Sequence, residues 1–328
     1  MTDLSTTHMG MNLKNPIIIG ASGLTKTVDG VLKCAKAGAG AVVLKSIFEE
    51  EIQREYETTQ RAYTDLAHME AFSHVRPDVM EQFGARHYLN LVTEASQNVD
   101  IPVMASVNCT GARSWLPFVR ELEKAGADGI ELNIFALPTD PTLQSDSVED
   151  GYLQLIAQVK KEVSIPVSVK LVPYLTNLKR FAHQADLEGA SALILFNRFF
   201  HPDFDVERME LTTKLSLSNA DEYRLPLRWV SLLNGAVGCD LVGTSGVHDA
   251  DTVVKMLLGG AAAVQVVSAI YHGDFSKIEL MLSGLTQWME RHEFDNIPSF
   301  RGRLSHEHVK EPHLLERTQY VKAFAGAE

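Results

Sequence analysis

Residues 240–273 read DLVGTSGVHDADTVVKMLLGGAAAVQVVSAIYHG, and the reading of this stretch decides the fold. Asp240–Gly243 is a short β run, and Gly243-Thr244-Ser245-Gly246 is a tight turn that bares backbone N–H groups. Asp249 then caps a helix whose Val253, Val254, Leu257 and Leu258 share one face. Gly259-Gly260 ends that helix, and Ala263–Val267 is a second buried strand running into Ser268. Two successive βα turns of Gly, Ser and Thr suit a phosphate, because unpaired amides and a helix N-terminus both favour negative charge. In a (β/α)8 barrel the loops after the seventh and eighth strands are a frequent phosphate site. An ordinary pair of αβ turns would use the same residues, so the stretch alone leaves both readings open.

The phrase around Gly259 recurs along the chain. KAGAGAVVLKS (36–46), KAGADGIELN (124–133), LEGASALILFN (187–197) and LGGAAAVQVVS (258–268) each place a helix-ending glycine before a buried strand. A second phrase, VDIPVMAS (99–106) and VSIPVSVK (163–170), marks two strands between them. Alternation of two phrases over odd and even strands is what a barrel core asks for, because alternate strands supply alternate side-chain layers. With NPIIIGASG (15–23) as the first strand, the count is eight βα units. The expected fold is a single-domain (β/α)8 TIM barrel over residues 1–328, with extended loops after strands two, four and six and a polar tail at 294–328. Those loops span 47–77, 135–146 and 197–225; loops of such length are commonly functional. Ser147 with Asp150 is read as a capping box, and Glu49-Glu50-Glu51 as an exposed helix start.

A formal charge of −12 argues against nucleic acid or an anionic membrane as partner. No apolar run reaches the roughly 18 residues of a spanning helix, and the polar start is no signal peptide. Three dispersed cysteines, Cys34, Cys109 and Cys239, exclude a cysteine-only metal site within the chain and fit a reducing cytoplasm. His306, His308 and His313 lack the spacing of a metal site, so no metal is expected. Cys109 reads as a small buried hydrophobe, kept in view because it follows Asn108.

The strands end in Ser22-Gly23, Lys45-Ser46, Asn108, Asn133, Lys170, Asn197, Gly243-Thr244 and Ser268. All belong to the C-terminal rim, where such barrels carry their active sites. A buried lysine or amide is expensive unless paired, so each should have a partner, either among themselves or in a ligand. Five of them above a glycine-rich turn favour an anionic ligand with an extended set of hydrogen-bonding groups.

At these residues the chain resembles the FMN-dependent dihydroorotate dehydrogenases and the pyrimidine-reducing domain of dihydropyrimidine dehydrogenase, over about Asn15 to Leu304. The resemblance implies flavin contacts at Ala21-Ser22-Gly23, Lys45-Ser46, Asn108, Asn133, Lys170 and Asn197. It implies a phosphate held by Gly243, Thr244, Ser245, Gly246, Val267 and Ser268, and substrate contacts from Lys45, Asn133 and Asn197. MASVNCTGARSW (104–115), VKLVPY (169–174) and SFRGRL (299–304) carry the likeness further. By resemblance Lys170 would stabilise anionic reduced flavin.

The departures are specific. Where the family has Asn-x-x-Cys/Ser-Pro-Asn, with the Cys or Ser as base, this chain reads Asn133-Ile134-Phe135-Ala136-Leu137-Pro138. Ala136 holds the place of the base and cannot accept a proton; Pro138 holds the place of a substrate-binding asparagine. The strand-two loop asparagine has no counterpart in 60–76, and the family's Gly-Gly before helix six aligns with Ala220-Asp221. The implied function is an FMN-dependent oxidoreductase acting on a small planar or unsaturated metabolite, with dihydroorotate doubtful. Thr139, Asp140 or Ser145 could stand as a displaced base in a genuine dihydroorotate dehydrogenase. Two other readings stay open: a flavin-holding subunit serving a redox partner protein, and a flavin-free lyase or synthase barrel. Homo-oligomerisation stays open as well.

Overall fold

The computed structural model describes residues 2–55, 84–111, 115–134, 137–198, 202–212, 216–316 and 325. Eight parallel strands close into a barrel ringed by helices: β1 Ile17–Ile19, β2 Ala41–Val43, β3 Val103–Cys109, β4 Gly129–Ile134, β5 Val167–Leu171, β6 Ala192–Leu195, β7 Asp240–Thr244 and β8 Ala263–Val266. Each pairs with its sequence neighbour, and β8 pairs with β1 to shut the cylinder. The short run Ile47–Phe48 extends the β3 edge.

Period-two alternation sorts the side chains, as it must when one face of a strand lines the barrel and the other meets helices. Ile18, Val43, Met104, Ile194, Val242 and Ala263 fill the interior. Their neighbours Ile17, Ile19, Val42, Val103, Leu193 and Val264 pack outward under the helices. A hairpin that the sequence reading missed, Thr6–His8 paired antiparallel with Met11–Leu13, brings Met9 and Leu13 into the interior cluster.

The longer helices among the described residues are α1 Val28–Lys36, α2 Ala85–Asn98, α3 Leu116–Lys124, α4 Ser145–Glu162, α5 Leu178–Leu187, α6 Arg224–Leu233, α7 Ala250–Gly259 and α8 Ser276–Arg291, and a short helical turn, Ser268–His272, follows β8. Asp249 caps α7 as expected, its carboxylate accepting from Thr252 N, and Gly260 ends it in the left-handed region at φ +118°. The capping box of α4 is corrected. That helix starts at Ser145 with Gln144 as its uncapped N-cap, so Ser147 lies inside the first turn. Glu49 is corrected too: it is buried, and its carboxylate accepts from Thr110 N and Oγ1 at the end of β3. That tie gives a buried carboxylate the partners it needs.

The excursion after β6 contains an antiparallel hairpin, Asp203–Asp205 with Glu210–Thr212. The stretch after Phe294, polar in sequence, still buries Ile297, Phe300 and Ser305. Gly302 N donates to Leu257 O and His306 N to Ser231 O, which docks this stretch on α7 and α6. His306 faces Glu316 at 3.1 Å. Among the described residues no helix is long and apolar enough to cross a membrane.

Candidate functional site

A cavity of about 320 Å³ opens at the C-terminal mouth between β1, β5, β6, β7 and β8. That volume lies within the roughly 300–1,000 Å³ of small-molecule pockets. Ten of the residues singled out from sequence line it: Ala21, Ser22, Gly23, Lys170, Asn197, Thr244, Ser245, Gly246, Val267 and Ser268. The turn after β7 is as tight as its glycines suggested. Ser245 and Gly246 both sit in the left-handed region, at φ 69° and 71°. A Cβ on Gly246 would lie 2.2 Å from Tyr223 N, so only glycine lets the turn approach the chain before α6. Across the cavity a Cβ on Gly23 would meet Tyr271 Oη at 2.6 Å.

The other candidates are placed elsewhere. Gly243 faces outward, where a Cβ would meet Met256 Sδ of α7 at 2.6 Å. Lys45 and Ser46 line a second cavity of about 340 Å³ with Lys26, Glu51, His87 and Tyr88. Lys45 is exposed, while Ser46 Oγ meets Ser106 Oγ at 2.8 Å. Asn108, half-buried on β3, stands beside Asn133 in the sheet register. Asn133 is tied to the cavity through Asn197, whose Nδ2 donates to its Oδ1 at 2.9 Å.

Beneath the mouth lies a polar cluster that sequence reasoning only half found. Lys170 Nζ sits 3.0 Å from Glu131 Oε1, with Glu131 1% exposed. Gln265 Nε2 donates to the other carboxylate oxygen from across the barrel. Because a carboxylate can only accept, Glu131 fixes the amide orientation and turns Gln265 Oε1 away. That oxygen is buried and has no partner among the described residues, and Gln265 lines the cavity. A buried acceptor without a donor costs about 1–3 kcal/mol, a cost a ligand N–H or O–H would remove. The signal was in the sequence: Gln265 interrupts an apolar strand at an interior position.

The loop after β6 reaches the cavity through Ser216, Leu217 and Ser218. Asp221, which the resemblance aligns with the family's Gly-Gly, lines a neighbouring cleft that shares Asn197, Arg198 and Ser245 with this cavity. Ser218 N donates to Ser268 Oγ at 3.0 Å, and Gly246 N donates to Ser218 Oγ at 3.4 Å, knitting both turns to this loop. Arg198 is held by Glu222 and by Ser216 O.

The dihydroorotate dehydrogenase family profile matches residues 3–289. The chain belongs to the dihydroorotate dehydrogenase family. Among its relatives, the "Dihydroorotate dehydrogenase B (NAD(+)), catalytic subunit" of Thermoplasma acidophilum is 27% identical over 314 residues, 92% of this chain and 99% of that one. The same subunit of Methanosarcina mazei is 29% identical over 321 residues, 93% of this chain and 96% of its own. That of Pyrococcus furiosus is 25% identical over 302 residues, 89% and 96% of the two chains.

For a dihydroorotate dehydrogenase family member, the expected place of the proton acceptor is the loop after β4. Ala136 and residues 60–76 lie outside the described residues. Thr139, Asp140 and Ser145 are all exposed, and none lines the cavity. The Asp140 carboxylate accepts from Thr142 N and Oγ1, which holds it below the usual carboxylate range. Cys109 is fully buried, and burial, with Glu49 and Glu50 adding to it, pushes its thiol far up. A thiol so placed is inert as a base.

Proposed function

We propose that the protein is an FMN-dependent oxidoreductase of small planar or unsaturated metabolites, for which dihydroorotate is a poor substrate. The observation that carries the cofactor reading is a cavity lined by both glycine-serine turns, by Lys170 and by Gln265, whose buried Oε1 has no partner among the described residues. FMN fits that donor and acceptor set. The amides of Ser245 and Ser268, and that of Gly246 in place of its contact to Ser218 Oγ, would hold its phosphate, and Gln265 and Lys170 would lie against its ring. Bound there, it would accept the hydride.

The chain's own residues supply the rest. Lys170 would supply a cation beside the ring that favours its anionic reduced form, and Glu131, 3.0 Å from Lys170 Nζ, would moderate that charge. Asn133 and Asn197, already paired, offer the amide groups that hold a planar substrate. No side chain at position 136 can take a proton. A positioned base contributes about 10²–10⁴-fold, and that factor is missing for dihydroorotate, which loses a proton as well as a hydride.

A second reading has its own support. The relatives above are named catalytic subunits, which favours a partner protein that passes electrons to or from the flavin here. The deciding experiment is anaerobic mixing of the FMN-loaded protein with dihydroorotate while the flavin absorbance is followed. Slow or absent bleaching is expected. Rapid, complete bleaching would show an ordinary dihydroorotate dehydrogenase with a displaced base.

A further inference from the structure

Behind the Ser218 wall of the cavity stand two imidazoles. His248 Nε2 lies 3.1 Å from Ser218 Oγ, His272 Nε2 lies 3.2 Å from Ser218 O, and the two ring centroids are 5.6 Å apart. One serine is thus gripped by both rings while its hydroxyl also accepts from Gly246 N. A carbonyl oxygen only accepts, so His272 Nε2 carries a hydrogen in every protonation state.

The fixed charges at this end of the cavity already balance. Of the residues lining it, Lys170 and Arg198 are the cations, and each is paired, with Glu131 and Glu222. A phosphate brings about −1.5 to −2 charge at neutral pH. Backbone amides supply partial charge only, so a dianion seated there would raise the proton affinity of any imidazole close by.

We propose that His248 and His272 form a proton-charged reserve for the cofactor phosphate: the pair takes up a proton when the phosphate binds at the Ser218–Gly246–Ser268 wall. The inference rests on the FMN reading above. The charged surroundings permit such a change. Asp249 and Glu222 favour the protonated form of His248, His272 opposes it, and Arg198 faces Glu222. Lys277 packs at Gly273, next to His272, and Asp274 is engaged with Ser276 N. Burial first, and then His272, hold His248 below the ordinary imidazole range before any anion arrives. The ring is therefore neutral at the start and has a proton to gain. The sign follows: a site that gains a proton on binding loses affinity as pH rises.

The test needs no variant to begin. Flavin-free protein is titrated calorimetrically at pH 7.5 with FMN and with riboflavin, in two buffers of different ionisation enthalpy, to count protons. The phosphate's own second ionisation, with a pKa near 6, is then largely complete. Proton uptake with FMN and none with riboflavin is expected, with FMN affinity falling about tenfold from pH 6.5 to 8.5. His248→Asn and His272→Asn should each flatten that profile and leave riboflavin affinity unchanged. FMN binding without proton uptake would overturn the proposal, as would an unaltered pH profile in both variants. Equal affinity for the two flavins would overturn it too, since the phosphate would then contribute nothing. If neither flavin binds at any pH, the cofactor reading itself fails, and that result is distinct from the others.

Discussion

The two halves of the barrel mouth are built on different principles. On the β7–β8 side, two short turns present backbone amides, and glycine geometry sets their position. On the β2, β4 and β6 side, long loops would present side chains, and the departures that the sequence resemblance implies fall there. Backbone chemistry survives sequence change, since any residue with the right φ carries an N–H. Side-chain chemistry does not: one replacement, which the resemblance places at Ala136, would remove a proton acceptor outright. The contrast separates cofactor holding from substrate choice.

The sharpest way to break the comparison is to damage the turn. Gly246→Asp places a Cβ where Tyr223 N lies 2.2 Å away and adds like charge at the phosphate. Complete loss of flavin retention, with the far-ultraviolet circular dichroism preserved, is the expected outcome. A folded, fully yellow variant would move the phosphate elsewhere.

The loop side should answer differently. Ala136→Cys restores a thiol at one position only, while Pro138 and the altered strand-two loop still leave a pyrimidine loosely held. Less than about a tenfold gain in dihydroorotate oxidation is expected, out of the roughly 10²–10⁴ that a positioned base contributes. Full recovery by this single change would show that substrate grip was intact all along.

Between the two halves sits the Glu131–Lys170 pair. Lys170→Met should lower the flavin midpoint potential, and Glu131→Gln should raise it, each by about 30–60 mV, or roughly 10–100-fold in a two-electron equilibrium. Potentiometric titration of the two variants checks the opposite signs. Shifts in the same direction would mean that the pair acts only structurally.

The effect most remote from the mouth belongs to the far end of the barrel. His8 is buried, and burial lowers its pKa from 6.5 to about 4. Its Nδ1, 3.9 Å from Asp240 Oδ2, has no hydrogen-bond partner among the described residues, and burial keeps the ring neutral when folded. Unfolded chains bind its proton first, so stability present above pH 6.5 is lost as pH falls toward 4. The loss is on the order of 2–3 kcal/mol, partly offset by Asp240, whose carboxyl burial raises. Urea melts of the protein and of His8→Gln between pH 7 and 4 should show the variant flatter; parallel curves would contradict this.

How much of this could be read in advance follows the same division. The repeat KAGAGAVV/KAGADGIEL located alternate strands because glycine-ended helices and buried strands leave local patterns. Both turns of the cradle were legible for the same reason. The Glu131–Gln265 contact joins residues 134 positions apart, and local pattern says nothing of that distance. Ser218 went unread because it stands in a long loop with no periodicity to place it. Glu49 looked exposed because it stands in an acidic run, although the fold turns it onto Thr110. The hairpin at Thr6–Leu13 is two strands of three residues, too short for alternation to show.

The most direct measurement is the flavin content of the purified protein, by absorbance at 450 nm and mass spectrometry of the released ligand. One FMN per chain, retained through gel filtration, is the expected result. A colourless protein that takes up no FMN on reconstitution would contradict the account, and the cavity would then belong to a barrel that works without flavin.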